Sequence, residues 1–148
     1  MAKKVRLTIF SLLAAGMVFF IFSNSFQSSE VSNAASGWVA DLLRPLLNPR
    51  GRLPDDLYHK LVRKLAHFTE FGLLGFWLGG IAANVDWKRK WLYGAGAAVL
   101  IACADEIIQS FTGRTNSIKD VCIDGAGAIC GIAVMALIVV LIRKNRVE

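Results

Sequence analysis

Four apolar blocks constrain this chain more than any other feature. They run from about Leu7 to Phe22, Leu65 to Val85, Trp91 to Phe111 and Val121 to Ile142. A helix of about 20 residues crosses the roughly 30 Å of bilayer hydrocarbon. The last three blocks have that length, and Val5 and Ser23 to Phe26 extend the first. Inside lipid every backbone N–H and C=O must pair within its own segment, which favours helices. The spacing therefore predicts an all-α fold, a four-helix transmembrane bundle with spans about 5–25, 65–85, 91–111 and 120–142. Composition agrees. Hydrophobic residues make up 55% of the 148, above the roughly 45–50% usual in soluble domains. The length suits one domain.

Lys3, Lys4 and Arg6 precede the first block, a pattern shared with cleaved signal peptides. The nearest stretch of small residues, Ser32 to Ser36, lies far downstream, so a retained helix is expected. Basic residues set the orientation. Lys3, Lys4 and Arg6 stand before the first span, Lys88, Arg89 and Lys90 between the second and third, and Arg143, Lys144 and Arg146 after the fourth. With four spans these clusters share one side, and the positive-inside rule makes that side the cytoplasm. Both termini are then cytoplasmic. The segment 23–64 is basic too, which weakens the count, and its length discounts its charges only in part. The net charge of +6 reads as membrane orientation and lipid contact. No basic stripe interleaved with aromatic residues is present to stack bases, so nucleic acid is not an expected partner.

The external segment, about 28–64, is more than a linker. Val31, Ala35, Trp38, Leu42 and Leu46 recur at helical spacing. That pattern is an amphipathic helix lying on the outer membrane surface or capping the bundle. Pro45 and the run Asn48-Pro49-Arg50-Gly51 are expected to end it. Pro54-Asp55-Asp56 then reads as a new helix start, continued by Leu57, Leu61 and Leu65 into the second span. Cys103, Cys122 and Cys130 are odd in number and lack metal-ligand spacing. They are expected to be buried and to act as small apolar residues.

Ionisable residues within membrane spans are costly and point to function. Here they are His67 and Glu70 in the second span, Asp105 and Glu106 in the third, and Asp120 and Asp124 in the fourth, with Gln109 adding an amide. All fall near the outer ends of their spans, so three helices bring their polar residues to one layer. Asp105 and Gln109 share a helix face with Ala102, Ala98 and Gly94, and Asp120 and Asp124 share one with Gly127 and Gly131. Small residues allow close helix approach, so these stripes should face the bundle interior. Gly72, Gly75 and Gly79 lie away from Glu70, which gives the second span neighbours on two sides.

Five carboxylates at close quarters cannot all be ionised without compensation. Candidate partners are Lys64, His67, Arg114 and Lys119, all near the outer boundary. A basic loop around Arg114 would either complete a structural ion-pair network or grip a phosphate or carboxylate while an acid transfers a proton. Plain structural roles compete with these. Asp120 or Asp124 suits a helix N-cap or first turn, Glu106 suits an interfacial ion pair, and His67 suits a hydrogen-bonded core histidine. The spacing of His67 and Glu70 lets both face one site. No Walker-type phosphate loop is present.

The run from Lys64 to Phe71 followed by Leu74-Gly75, the run from Asp105 to Arg114, and Asp120 and Asp124 with Gly125, Gly127 and Gly131 together resemble three motifs of the VanZ-like family of bacterial membrane proteins. Ser23, Ser25 and Gln27 resemble its short polar stretch after the first span. The resemblance covers nearly the whole chain. It implies a four-helix protein of the bacterial cell envelope and, through the name-giving member, an association with teicoplanin resistance. It implies no particular reaction.

Three classes of function fit. In a membrane enzyme or lipid modifier, His67, Glu70, Asp105 and Asp124 would be acid/base groups or ligands of a hard cation such as magnesium, manganese or calcium. Lys64, Glu106, Gln109, Arg114 and Asp120 would contact an anionic substrate. In a non-enzymatic binder, Arg114 and Lys64 would hold membrane lipids, a lipid-linked cell-wall precursor or a glycopeptide, the acids would only orient them, and acyl chains would lie near Trp38. A small proton-coupled transporter needs an acid reachable from both sides, which acids confined to one end oppose.

Overall fold

The computed structural model describes residues 2–113 and 117–145. Five helices follow one another: α1 (Lys3–Ser25), α2 (Ser29–Leu47), α3 (Asp55–Ala83), α4 (Lys90–Phe111) and α5 (Ile118–Lys144). All but α2 are long and apolar enough to cross a membrane. The expected spans thus appear. The segment from Asp55 joins the second span as one continuous helix, because no residue between Asp55 and Leu65 interrupts it.

The spans run up and down. Lys3 forms an ion pair with Asp86, and the Arg6 guanidinium donates to Asn84 Oδ1 at 3.0 Å. The start of α1 therefore sits beside the turn between α3 and α4. At the other end, Thr112 Oγ1 donates to the Ser25 carbonyl at 3.2 Å, which brings the end of α4 to the end of α1. Helices α3 and α5 run parallel. Phe68 meets Gly127, Gly75 meets Ala128 and Gly79 meets Met135, so contacts advance together along both. The basic start of α1, the basic turn before α4 and the basic end of α5 therefore lie at one end of the bundle.

Among the described residues, α3 and α5 share the most extensive seam. A Cβ on Gly75 would overlap the carbonyl of Ala128, and one on Gly131 would overlap the carbonyl of Gly72. Without side chains in the way, the backbones gain dispersion contacts, which lipid cannot replace by a hydrophobic drive. The remaining core is Ala14 and Ile21 from α1, Phe71 and Leu74 from α3, Ala98 and Ala102 from α4, and Ala128 from α5. As expected, α3 has neighbours on more than one side.

Helix α2 starts at Ser28, whose side chain accepts from the Val31 N–H. It docks on the first turns of α3 through Ala40, Val39 and Leu43, against Tyr58, Val62 and Leu53. Tyr58 is fully buried and its hydroxyl donates to the Ala40 carbonyl at 2.7 Å. The stripe of Val31, Trp38, Leu42 and Leu46 points away from the protein and is exposed. Two expectations need correction. Pro45 lies within α2, which continues to Leu47. In the last turn a missing N–H costs only one bond near the frayed end. The three cysteines are exposed on the bundle surface, not buried. The small residues that α4 and α5 turn inward are alanine and glycine, and the cysteines lie on their outer faces.

Candidate functional site

Four helices deliver polar side chains to the end of the bundle opposite the basic one. Asp105 and Gln109 project from the last two turns of α4 on the face that also buries Ala98 and Ala102. Asp124 projects from the second turn of α5 on the face of Gly127 and Gly131. Ser25 ends α1 on the face of Ala14 and Ile21. The interior face anticipated for α4 and α5 is therefore the one that carries these acids.

Asp105 is fully buried. Its Oδ1 accepts from the Ser25 hydroxyl, and its Oδ2 accepts from the Gln109 amide at 2.6 Å. Asp124 is also fully buried, and neither of its oxygens has a hydrogen-bond partner among the described residues. His67 Nδ1 stands 3.7 Å from Asp124 Oδ1, and the imidazole keeps 21% of its surface exposed. One donor atom each from His67, Asp105 and Asp124 lies within 4.8 Å of the other two. An imidazole beside two carboxylates has the donors to move a proton or to hold a cation.

The other expected residues have different neighbours. Glu70 turns toward α1, where the Asn24 amide donates to its Oε1 at 3.5 Å. Glu106 is buried, and its Oε2 accepts the Ser117 N–H at 2.8 Å. That N–H belongs to the N-cap of α5. In a capping box the acid of the same helix would satisfy it; here the preceding helix supplies the carboxylate. Asp120 occupies the first turn of α5 and pairs with Lys64 of α3. Lys119 is exposed beside the same cap, its N–H donating to Ser117 Oγ. Arg114 lies outside the described residues, as does Arg146.

Two features escaped the sequence reading. Ser25 looked like part of a polar stretch after a span, yet it is buried against Asp105. Its spacing from Ala14 and Ile21 along one face was the available signal. Further out, α2 and α3 enclose an open groove of about 370 Å³ lined by Ser36, Asp56, His59, Lys60 and Arg63. Nothing in the sequence ties Ser36 to the α3 residues, because only the docking of α2 brings them together.

Spanning helices that bury acids beside a partly exposed histidine at one end define a multi-pass membrane protein. The family model described as VanZ/LLP1 matches residues 10–140 of the 148, and the chain belongs to that family. Comparison with curated proteins and with solved structures finds no match.

Proposed function

We propose that this VanZ-family protein binds an anionic, lipid-linked molecule of the cell envelope at the polar end of its bundle, with that end facing outward. The observation that carries the reading is the groove between α2 and α3. Lys60 and Arg63 offer two cations and His59 a third titratable donor, against the single carboxylate of Asp56. An arginine and a lysine converging on one groove suit a phosphate. The exposed stripe of Trp38, Leu42 and Leu46 on the adjoining helix suits an interfacial position, where the head groups of neighbouring lipids lie. His67 follows His59 by eight residues on the same helix, about 12 Å further into the bundle. A bound head group would thus sit above the His67–Asp105–Asp124 cluster.

Orientation rests on the basic end of the bundle lying in the cytoplasm by the positive-inside rule. Cell-wall precursors and membrane phospholipids share the required chemistry, an anionic phosphate on an acyl or prenyl chain. A role in glycopeptide resistance would follow from the first source and not the second. The test is mass spectrometry of lipids retained by the full-length protein in mild detergent. Wild type should enrich anionic lipids over the source membrane, and Lys60→Gln combined with Arg63→Gln should abolish the enrichment. Identity of the retained species separates the two sources. Equal lipid profiles for wild type and variant would refute head-group binding in the groove.

A further inference from the structure

The geometry points to a divalent transition-cation site formed by His67, Asp105 and Asp124, a site that does not depend on the lipid reading. The argument begins with Asp124. Its side chain is fully buried and aimed into the cluster, and neither oxygen accepts a hydrogen bond from any described residue. Buried polar atoms in native proteins nearly always have partners, and an orphaned pair calls for a water or an ion. A buried carboxylate with both oxygens unpartnered among the described residues suits a cation better than an apolar surrounding.

Distance supports the same reading. The 3.7 Å between His67 Nδ1 and Asp124 Oδ1 is too long for a hydrogen bond. It is close to the roughly 3–3.5 Å separating two donors that share a cation at about 2.1 Å from each. Asp105 completes the set within 4.8 Å. Drawing its carboxylate inward by about 1 Å, within the reach of a side-chain torsion, would bring it to the shared ion. Ser25 and Gln109 each donate to one oxygen of Asp105 and orient its carboxylate. Such orienting hydrogen bonds to a liganding carboxylate are a regular part of metal sites.

Charge decides the class of ion. Two ionised carboxylates and a neutral imidazole carry two negative charges, which match a dication and offset the cost of burying the acids. A carboxylate pair alone would accept magnesium or calcium, whereas imidazole favours first-row transition ions. Manganese accepts both donor types. The imidazole of His67 keeps 21% of its surface exposed, which gives an ion access to the site. Water or a head-group phosphate would fill the positions that three protein donors leave open.

The probe is Mn²⁺ itself, added to chelator-stripped, full-length protein in detergent and followed by electron paramagnetic resonance. Wild type should remove free Mn²⁺ from solution at one ion per chain. The bound ion should show nitrogen coupling in spin-echo modulation, from the imidazole of His67. Asp124→Asn should weaken binding at least about tenfold, the loss that even an outer partner of a metal site can cause. His67→Gln should abolish the nitrogen coupling. Asp86→Asn, at the opposite end of the bundle, should bind as wild type does. Should Asp124→Asn fail to fold, His67→Gln decides alone, since its side chain is partly exposed and its readout is spectroscopic. Absence of bound Mn²⁺ in wild type would overturn the inference. Binding with nitrogen coupling unchanged in His67→Gln would overturn it too. Neither result bears on lipid retention by Lys60 and Arg63, so the two proposals stand or fall separately.

Discussion

Gly131 in α5 faces the carbonyl oxygen of Gly72 in α3 with no space for a methyl group between them. A Cβ there would also lie 2.7 Å from the Phe76 nitrogen. Because both neighbours are backbone, no side-chain rotation relieves the overlap. The seam that brings His67 of α3 beside Asp124 of α5 depends on this contact.

Gly131→Leu should therefore destabilise the bundle by about 1–3 kcal/mol or more, the usual cost of overpacking. Gly16→Ala, where nothing lies within 4 Å, should be neutral or slightly stabilising. Denaturant unfolding of both variants in detergent checks the pair, and equal midpoints would remove the seam from the account.

Glu106 is assigned to the N-cap of α5 through its bond to the Ser117 N–H. Glu106→Ala should cost roughly 1–3 kcal/mol by leaving that donor unsatisfied. Glu106→Gln keeps an acceptor oxygen and should recover most of the loss. A Gln variant as unstable as the Ala variant would mean that the negative charge, not the cap, matters.

Tyr58→Phe removes only the hydroxyl that donates to the Ala40 carbonyl. The cost of about 1 kcal/mol should fall on the docking of α2. Hydrogen exchange should speed up across 29–47 while the four spanning helices keep their protection. Uniform loosening would show that α2 is not an independent unit.

Asp86 lies in the turn outside the spans. Its hydrogen bond from Lys3, reinforced by the ammonium charge, holds its carboxyl below the usual aspartate range of about 3.9. A carboxyl lowered in the folded state contributes stability above the unfolded pKa and loses it as pH falls through the folded value. Between pH 5 and 8 the pair should therefore be insensitive to pH, and it should break only below about pH 4. Carbon NMR of labelled Asp86 should show a depressed midpoint that Lys3→Met returns to normal.

Orientation can be read with a membrane-impermeant maleimide, after the three surface cysteines are replaced by serine. Arg52→Cys should label in intact cells. Lys88→Cys should label only after permeabilisation. The reverse pattern would turn the polar end toward the cytoplasm and end the case for an outward-facing head-group site.

Much of the architecture follows from local properties of the chain. Apolar runs of spanning length, broken at Trp87-Lys88-Arg89-Lys90 and around Thr112-Gly113, yield four helices because each satisfies its own backbone in lipid. Helical periodicity likewise places Asp105 with Gln109, and Asp124 with Gly127, on inward faces. These are properties of one helix at a time. The gathering of the acids at one end also follows, since their positions along each span are a matter of counting.

Which acids meet is another matter. Asp105 and Asp124 join His67, while Glu70 faces Asn24, Glu106 caps Ser117 and Asp120 pairs with Lys64. That sorting depends on how far each helix is rotated against its neighbour, which the fit of two surfaces sets jointly. The Gly72–Gly131 contact is one such fit, and the docking of α2 that brings Ser36 to Lys60 and Arg63 is another. The sequence by itself determined four membrane-spanning helices with a polar end. Only the tertiary structure decided which of the many polar residues there come together, because helix rotation is written in no single helix.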